Sequence, residues 1–369
     1  MRNSTNKTIQ SYCVAFSLSA MIFMLQGCGG SSDNTFTTTT DTTDTSTITL
    51  ASLGEKLFFD TSLSVPAGQS CSSCHTPSAG FADPDSGSPT SLGADSSSVG
   101  TRNSPTASYA AHIPDSTTTP VLTGGQFLDG RAASLEEQAK GPFLNPVEMA
   151  NASEEDVIAK IKLTDYASDF ETLFGIDILE DVATSYDHVA DAIAAFERTS
   201  VFSPFTSKFD QVAAGTATFT AAEARGQQLF NGRGQCDTCH ASPNNSEEVF
   251  SDFEFKNIGV PSNGTLLNIL SDSSFIDNGL GGVTGNNGDN GKFRTPNLRN
   301  IANTAPYMHN GVFNTLTEVV EFYNTRDTTF PDAPEVNQNV DQRGRIGELG
   351  LNTNDVDDIV SFLGTLTDQ

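Results

Sequence analysis

Apolar residues recur at helical spacing in several well-separated stretches of the chain. Val157, Ile158 and Ile161 fall on one face of a predicted helix, as do Val189, Ile193 and Phe196 within residues 187–198. Residues 354–366 repeat the pattern with Val356, Ile359, Val360 and Leu363. In HNGVFNTLTEVVEFYN (309–324), Leu316, Val319, Val320 and Tyr323 stand at i, i+3, i+4 and i+7. Strand-like alternation is scarce. Long connections rich in Gly, Pro and Asn, such as residues 278–291, separate the periodic stretches. The pattern predicts a mainly α protein: two mostly helical domains with long loops and little β, joined near residues 200–208.

The N-terminus belongs to neither domain. Arg2 and Lys7 precede a mostly apolar run over residues 13–25, the form of a secretory signal and too short for a comfortable membrane span. It ends in Leu25-Gln26-Gly27-Cys28, which has the form of a bacterial lipobox in which the cysteine is lipidated; an ordinary cleaved signal is the alternative. Residues 1–27 are thus expected to be a signal peptide of lipoprotein type. The product would be periplasmic or at the cell surface, anchored to the membrane. Residues 28–49 are mostly Ser, Thr, Asp and Gly, unable to bury enough surface to order themselves, and are read as a flexible tether.

Charge narrows the partners. The chain has 369 residues, with 19 basic and 46 acidic side chains and a net charge of −27. Loss of residues 1–27 removes Arg2 and Lys7 and no acid, leaving a net of −29. Such a field repels nucleic acid and attracts a basic protein; an acidic solvated surface suited to salt is the plainer reading.

The six cysteines sort without remainder. Cys13 lies in the signal and Cys28 is the expected lipid anchor, while Cys71 and Cys74 belong to CSSCH and Cys236 and Cys239 to CDTCH. GEKLF (54–58) precedes the first motif and GQQLF (226–230) the second, an approximate internal repeat. Cysteines at i and i+3 on a helical turn can both reach the vinyl groups of one haem, and the next histidine can coordinate its iron. Two such motifs behind an export signal point to two covalently bound c-type haems, with His75 and His240 as proximal ligands. A zinc site would want two closely spaced pairs, and 162 positions separate Cys74 from Cys236. Of the other histidines, His188 reads as surface or packing, and His112 carries no assigned role.

From about Leu53 onward the chain resembles the bacterial di-haem cytochrome c peroxidases and the related MauG-type enzymes. The resemblance is carried by LGEKLFFD (53–60), SCSSCH (70–75), RNSPT (102–106), FLDGRAASLEEQAKGPFLNPVEM (127–149), CDTCH (236–240), FRTPNLRNIANTAPYMHNG (293–311) and TLTEVVEFYN (315–324). It implies two cytochrome-c-like haem domains: an N-terminal peroxidatic one (50–202) and a C-terminal electron-transfer one (203–369). It further implies that Gln138 and Glu148 lie on the distal side of the first haem, with Pro142 near the pocket. There a carboxylate would move the peroxide proton and a glutamine would orient. Without the resemblance, Glu148 reads as a solvated residue after Pro146. A calcium ion between the domains would be held by the Asn103 side chain and the carbonyls of Thr304 and Pro306; alone, Asn103 reads equally well as a turn residue. His309 matches a histidine near the haem interface that is not an iron ligand. At the second haem the resemblance makes Tyr323 the sixth ligand, as in MauG-type members, with Met308 as an alternative in the wrong register. Alone, Tyr323 reads as a core aromatic.

Two departures shape the functional expectation. Many of these peroxidases carry a histidine in the loop before RNSPT; SLGADSSSVGTRNSPT (91–106) has none, so the first haem is expected to be open without reductive activation. Leu128 stands where a tryptophan usually lies between the haems, and the chain contains no tryptophan. The leading expectation is reduction of hydrogen peroxide with electrons from a small donor, a cytochrome c or a cupredoxin. MauG-like oxidation of a protein or organic substrate is the second reading, and a non-catalytic di-haem electron carrier the third. A homodimer is compatible with all three.

Overall fold

A computed structural model describes residues 48–117, 122–241, 249–344 and 346–369. The expected signal, Cys28 and nearly all of the tether lie outside the described residues. The helices that matter for the site are α1 (Leu50–Phe59), α2 (Leu135–Leu144), α3 (Glu154–Ile161), α4 (Val182–Glu197), α5 (Ala221–Phe230), α6 (Leu316–Thr325) and α7 (Thr353–Gly364). The only sheet among the described residues pairs β1 (Phe255–Lys256) antiparallel with β2 (Phe293–Arg294), with Phe255 opposite Arg294. The mainly α expectation holds. No helix of the described residues is long and apolar enough to cross a membrane.

The GEKLF/GQQLF repeat is a repeat of structure. Thr49 caps α1 and Thr220 caps α5, each accepting from the backbone N–H three residues on. α1 then crosses α4, and α5 crosses α7, so closely that only glycine fits at the crossing. A Cβ on Gly54 would lie 1.9 Å from the Ala192 carbonyl oxygen, and one on Gly226 would lie 1.9 Å from that of Asp358. Beside each crossing a phenylalanine of the repeat meets one from the partner helix: Phe58 and Phe196 are 5.6 Å apart, Phe230 and Phe362 5.3 Å.

Two hydrophobic cores result. One is built from Leu53 to Phe202 and includes the apolar faces of α3 and α4. The other runs from Phe230 to Leu366 and includes those of α6 and α7. Between these two cores run long-range ion pairs as well as apolar contacts. Arg102 donates to Asp129 at 2.5 Å and, through two nitrogens, to Asp277 at 2.5 and 2.8 Å. With both carboxylates buried and Arg102 partly so, such a pair fixes geometry more than it adds stability.

Candidate active site

The first CxxCH forms a single helical turn, Cys71–Cys74, started by a reciprocal Ser70–Ser73 cap and closed by the His75 N–H on the Cys71 carbonyl (2.9 Å). The turn places both thiols on one side. His75 Nδ1 lies 3.2 Å from the Phe81 carbonyl oxygen. A carbonyl can only accept, so Nδ1 carries the proton and Nε2 keeps its lone pair for a metal. Burial lowers the pKa of this imidazole and so favours its neutral form. It also pushes the thiols up, Cys71 to about 12 and Cys74 to about 11.

The second motif repeats this with a tighter turn. Cys236–Thr238 is 3₁₀, the His240 N–H reaches the Cys236 carbonyl at 2.9 Å, and His240 Nδ1 lies 2.8 Å from the Phe250 carbonyl. Phe81 and Phe250 both occupy left-handed backbone, at φ 57° and 59°. A bulky residue there is a strained exception, and such strain gathers at functional sites. Here it turns each carbonyl onto an imidazole.

Around His240 opens a cavity of about 270 Å³, lined by Cys236, Cys239, Leu128, Arg294, Met308 and Tyr323 among others. Arg294 is buried, and its Nε has no hydrogen-bond partner. Its remaining contacts are carbonyls, Thr295 at 3.4 Å and Phe127 at 3.3 Å. Burial without a carboxylate pulls its pKa down to about 10. A buried cation on an apolar cavity requires an anion inside it. Two thiols, an oriented imidazole and this guanidinium together fit a covalently held haem and its propionates. At the first motif, the buried Gln69 Oε1 is likewise unpartnered, while Gln69 Nε2 lies 3.9 Å from Cys74 Sγ. Among the described residues no group of three or more His, Cys, Asp or Glu converges on one point.

Tyr323, on α6, lines the cavity with His240, and its hydroxyl has no hydrogen-bond partner among the described residues. Burial raises the phenol's pKa, and the nearby Cys239 and Cys236 raise it further. Met308 lines the same cavity. Leu128 is there too, its carbonyl accepting from the Arg294 N–H at 2.8 Å.

Glu148 follows α2 in a turn. Its N–H donates to the Asn145 carbonyl (3.0 Å), Asn145 Nδ2 donates to its Oε1 (2.8 Å), and its own carbonyl accepts from Ala94 (2.8 Å). Burial raises its pKa, while Arg131 and the Asn145 hydrogen bond pull the other way. Its charge helps to raise both Cys71 and Cys74, so Glu148 lies within electrostatic reach of the first pair of thiols. Gln138 sits on α2 one turn before Pro142, whose carbonyl accepts from Met149 N–H at 3.2 Å. The loop bearing Gly93 packs on this segment: a Cβ on Gly93 would lie 2.7 Å from the Val147 carbonyl.

The other histidines make contacts of their own, and His309 also lines the cavity around His240. His188 stacks on Phe174 at 3.7 Å; His309 stacks on Phe293 at 3.8 Å and bonds Glu335 at 3.1 Å; His112 packs against Tyr109 and Phe205. Asn103, Thr304 and Pro306 line one small cavity of about 10 Å³, with Asn103 Nδ2 donating to the Pro306 carbonyl at 2.9 Å. The residue reading missed Arg294; an arginine directly before Thr-Pro at a loop edge was its one written sign.

A family model described as di-haem cytochrome c peroxidase matches residues 49–218. The methylamine utilization protein MauG of Paracoccus denitrificans (strain Pd 1222) is 40% identical over 344 residues, covering 87% of this chain and 89% of its own length. The cytochrome c551 peroxidase of Nitrosomonas europaea is 34% identical over 328 residues, covering 86% and 80%. Among solved structures, the diheme peroxidase BthA from Burkholderia thailandensis E264 superposes with a TM-score of 0.78 at 33% identity, covering 86% of each chain. Cysteine pairs, oriented imidazoles and the fold of the described residues agree with these likenesses, and the chain belongs to the di-haem cytochrome c peroxidase and MauG family of oxidoreductases, whose members carry two c-type haems.

Proposed function

We propose that the chain reduces hydrogen peroxide to water at the haem site of Cys71, Cys74 and His75, with electrons entering at the site of Cys236, Cys239 and His240. When bound, the haems supply the redox chemistry and the site for peroxide. Glu148 carries the reading: a half-buried carboxyl with a raised pKa, held by Asn145 beside the first pair of thiols. Such a group can take the proton from the near oxygen of peroxide and return it to the departing one. Gln138 can only donate and accept hydrogen bonds, so its part is to orient peroxide. No histidine stands in the loop over Glu148, which supports a first haem open to peroxide.

Tyr323, rather than Met308, would hold the second haem's iron together with His240; both line the cavity around that imidazole. An anionic phenolate favours the oxidised states of iron, so this haem would store oxidising equivalents as readily as relay electrons. That feature, with the likeness to MauG, favours oxidation of a protein or organic substrate as the second reading. Asn103, Thr304 and Pro306 would hold calcium once the Asn103 amide turns its oxygen inward; a cavity sized for about one ion supports this. The donor would be a small basic redox protein, a cytochrome c or a cupredoxin, drawn by the acidic surface. Residues 50–202 and 203–369 would act as the peroxidatic and electron-transfer domains. A lipidated Cys28, periplasmic or cell-surface placement and a homodimer complete the reading, to be checked by intact mass, fractionation and sedimentation.

Replacing Glu148→Gln keeps size and hydrogen bonding and removes the base. Peroxide reduction should fall about a hundredfold or more, with haem attachment by mass unchanged. A variant turning over at the wild-type rate would exclude Glu148 from the chemistry.

A further inference from the structure

Tyr109 is fully buried, stands in left-handed backbone at φ 60°, and lies where the two halves meet. On the first side, its N–H donates to the Phe202 carbonyl at 3.0 Å. Two residues earlier, the Ala107 N–H donates at 2.9 Å to the Phe81 carbonyl, the same oxygen that faces His75. On the second side, the Tyr109 ring packs with Val249 and Phe253, which flank Phe250, whose carbonyl faces His240. The phenol thus reaches the surroundings of both proximal ligands. Its hydroxyl donates to the Asp368 carboxylate at 2.9 and 3.0 Å and accepts from the Phe205 N–H at 3.0 Å.

We propose that Tyr109 is a proton-coupled redox relay: it gives one electron to the haem pair that peroxide has oxidised and passes its phenolic proton to Asp368. This rests on the peroxidase reading above. Peroxide takes up two electrons and two protons to give two waters. Tyr109 supplies one of those electrons as its O–H bond breaks, leaving a neutral phenoxyl radical and a protonated Asp368 carboxyl. The external donor supplies the second electron to the haem pair and a further one to the phenoxyl, where the proton returning from Asp368 restores the phenol; the two protons of the waters come from solvent. The proton has to leave, because the Arg299 guanidinium lies 5.4 Å from the ring centroid and a ring cation beside it would be repelled. The carboxylate that receives it is already hydrogen-bonded. With no tryptophan in the chain, tyrosine is the most readily oxidised ring present. Tyr166 also donates to a carboxylate, Asp60 at 2.5 Å, but it packs within the first core alone and serves as the control.

The test is electron paramagnetic resonance on haem-loaded protein, frozen after peroxide without donor, with haem absorption followed in parallel. The expected result is an organic radical whose hyperfine pattern narrows with ring-deuterated tyrosine. It should be lost in Tyr109→Phe and retained in Tyr166→Phe. Asp368→Asn keeps the ring in place, so loss of the radical there cannot come from an emptied core. A haem response without a tyrosyl radical, or with one unchanged in Tyr109→Phe or at full yield in Asp368→Asn, overturns the relay and leaves the peroxidase reading standing. No haem response to peroxide overturns both.

Discussion

Each proximal imidazole rests on the carbonyl of a phenylalanine held in left-handed backbone, and nothing in the letters around Phe81 or Phe250 announces that. The CxxCH motifs were legible because covalent chemistry fixes their spacing. The acceptors that orient their histidines were not, because a positive φ is imposed by the surrounding chain and not by the residue type. Glu148 stood between two readings in the sequence; in the fold it is half-buried and within electrostatic reach of the first thiols. Glu197 is a second acid whose charge helps to raise Cys71, and it is more deeply buried. Only 6% exposed, it has its pKa raised to about 8, chiefly by burial. The folded protein therefore holds a proton that the unfolded chain releases near its ordinary value. Stability contributed here is present below the ordinary glutamate range and is lost as pH rises toward the folded value. Glu197→Gln should remove that slope and stabilise the protein by a few kcal/mol, as an order of magnitude, at about pH 9 but not at about pH 5. Denaturant unfolding at both pH values checks this, and equal effects at the two would contradict it.

Among the elements, α1 with α4 and α5 with α7 are the same crossing built twice. The repeat GEKLF/GQQLF was visible in the sequence, but the reason for its glycines is visible only where Gly54 and Gly226 meet the carbonyls of Ala192 and Asp358. Either glycine replaced by alanine must push two helix backbones apart. Gly54→Ala and Gly226→Ala should each cost about 1–3 kcal/mol or more, read as a lowered unfolding midpoint; unchanged midpoints would show that the crossings can give way. The periodic stripes in α3, α4, α6 and α7 were read correctly because each covers one core with a continuous apolar face. α2 carried no such reading. Pro142 inside it removes a helical donor and normally argues against a helix. The helix persists because Leu135, Ala139 and Phe143 are buried along one side.

At the scale of the molecule, the two CxxCH motifs and their repeated flanks were legible in the sequence, and the long-range ion pairs between the stretches that carry them were not. Arg102 reaches Asp277 across 175 positions, a pairing no local pattern encodes. The net charge of −27 was plain from the start, and it makes a prediction about partners. Turnover with a basic cytochrome donor should slow steeply as ionic strength rises past the point where the screening length is about 10 Å, while turnover with a neutral small-molecule donor should hardly change. Equal salt dependence for the two donors would argue against an acidic docking surface. The central claim is that the first haem is open for peroxide and the second is closed by His240 and Tyr323. Electron paramagnetic resonance of the resting ferric protein tests it most directly. The account predicts one high-spin and one low-spin haem, with Tyr323→Phe altering only the low-spin signal; two low-spin haems that stay so under peroxide would contradict it.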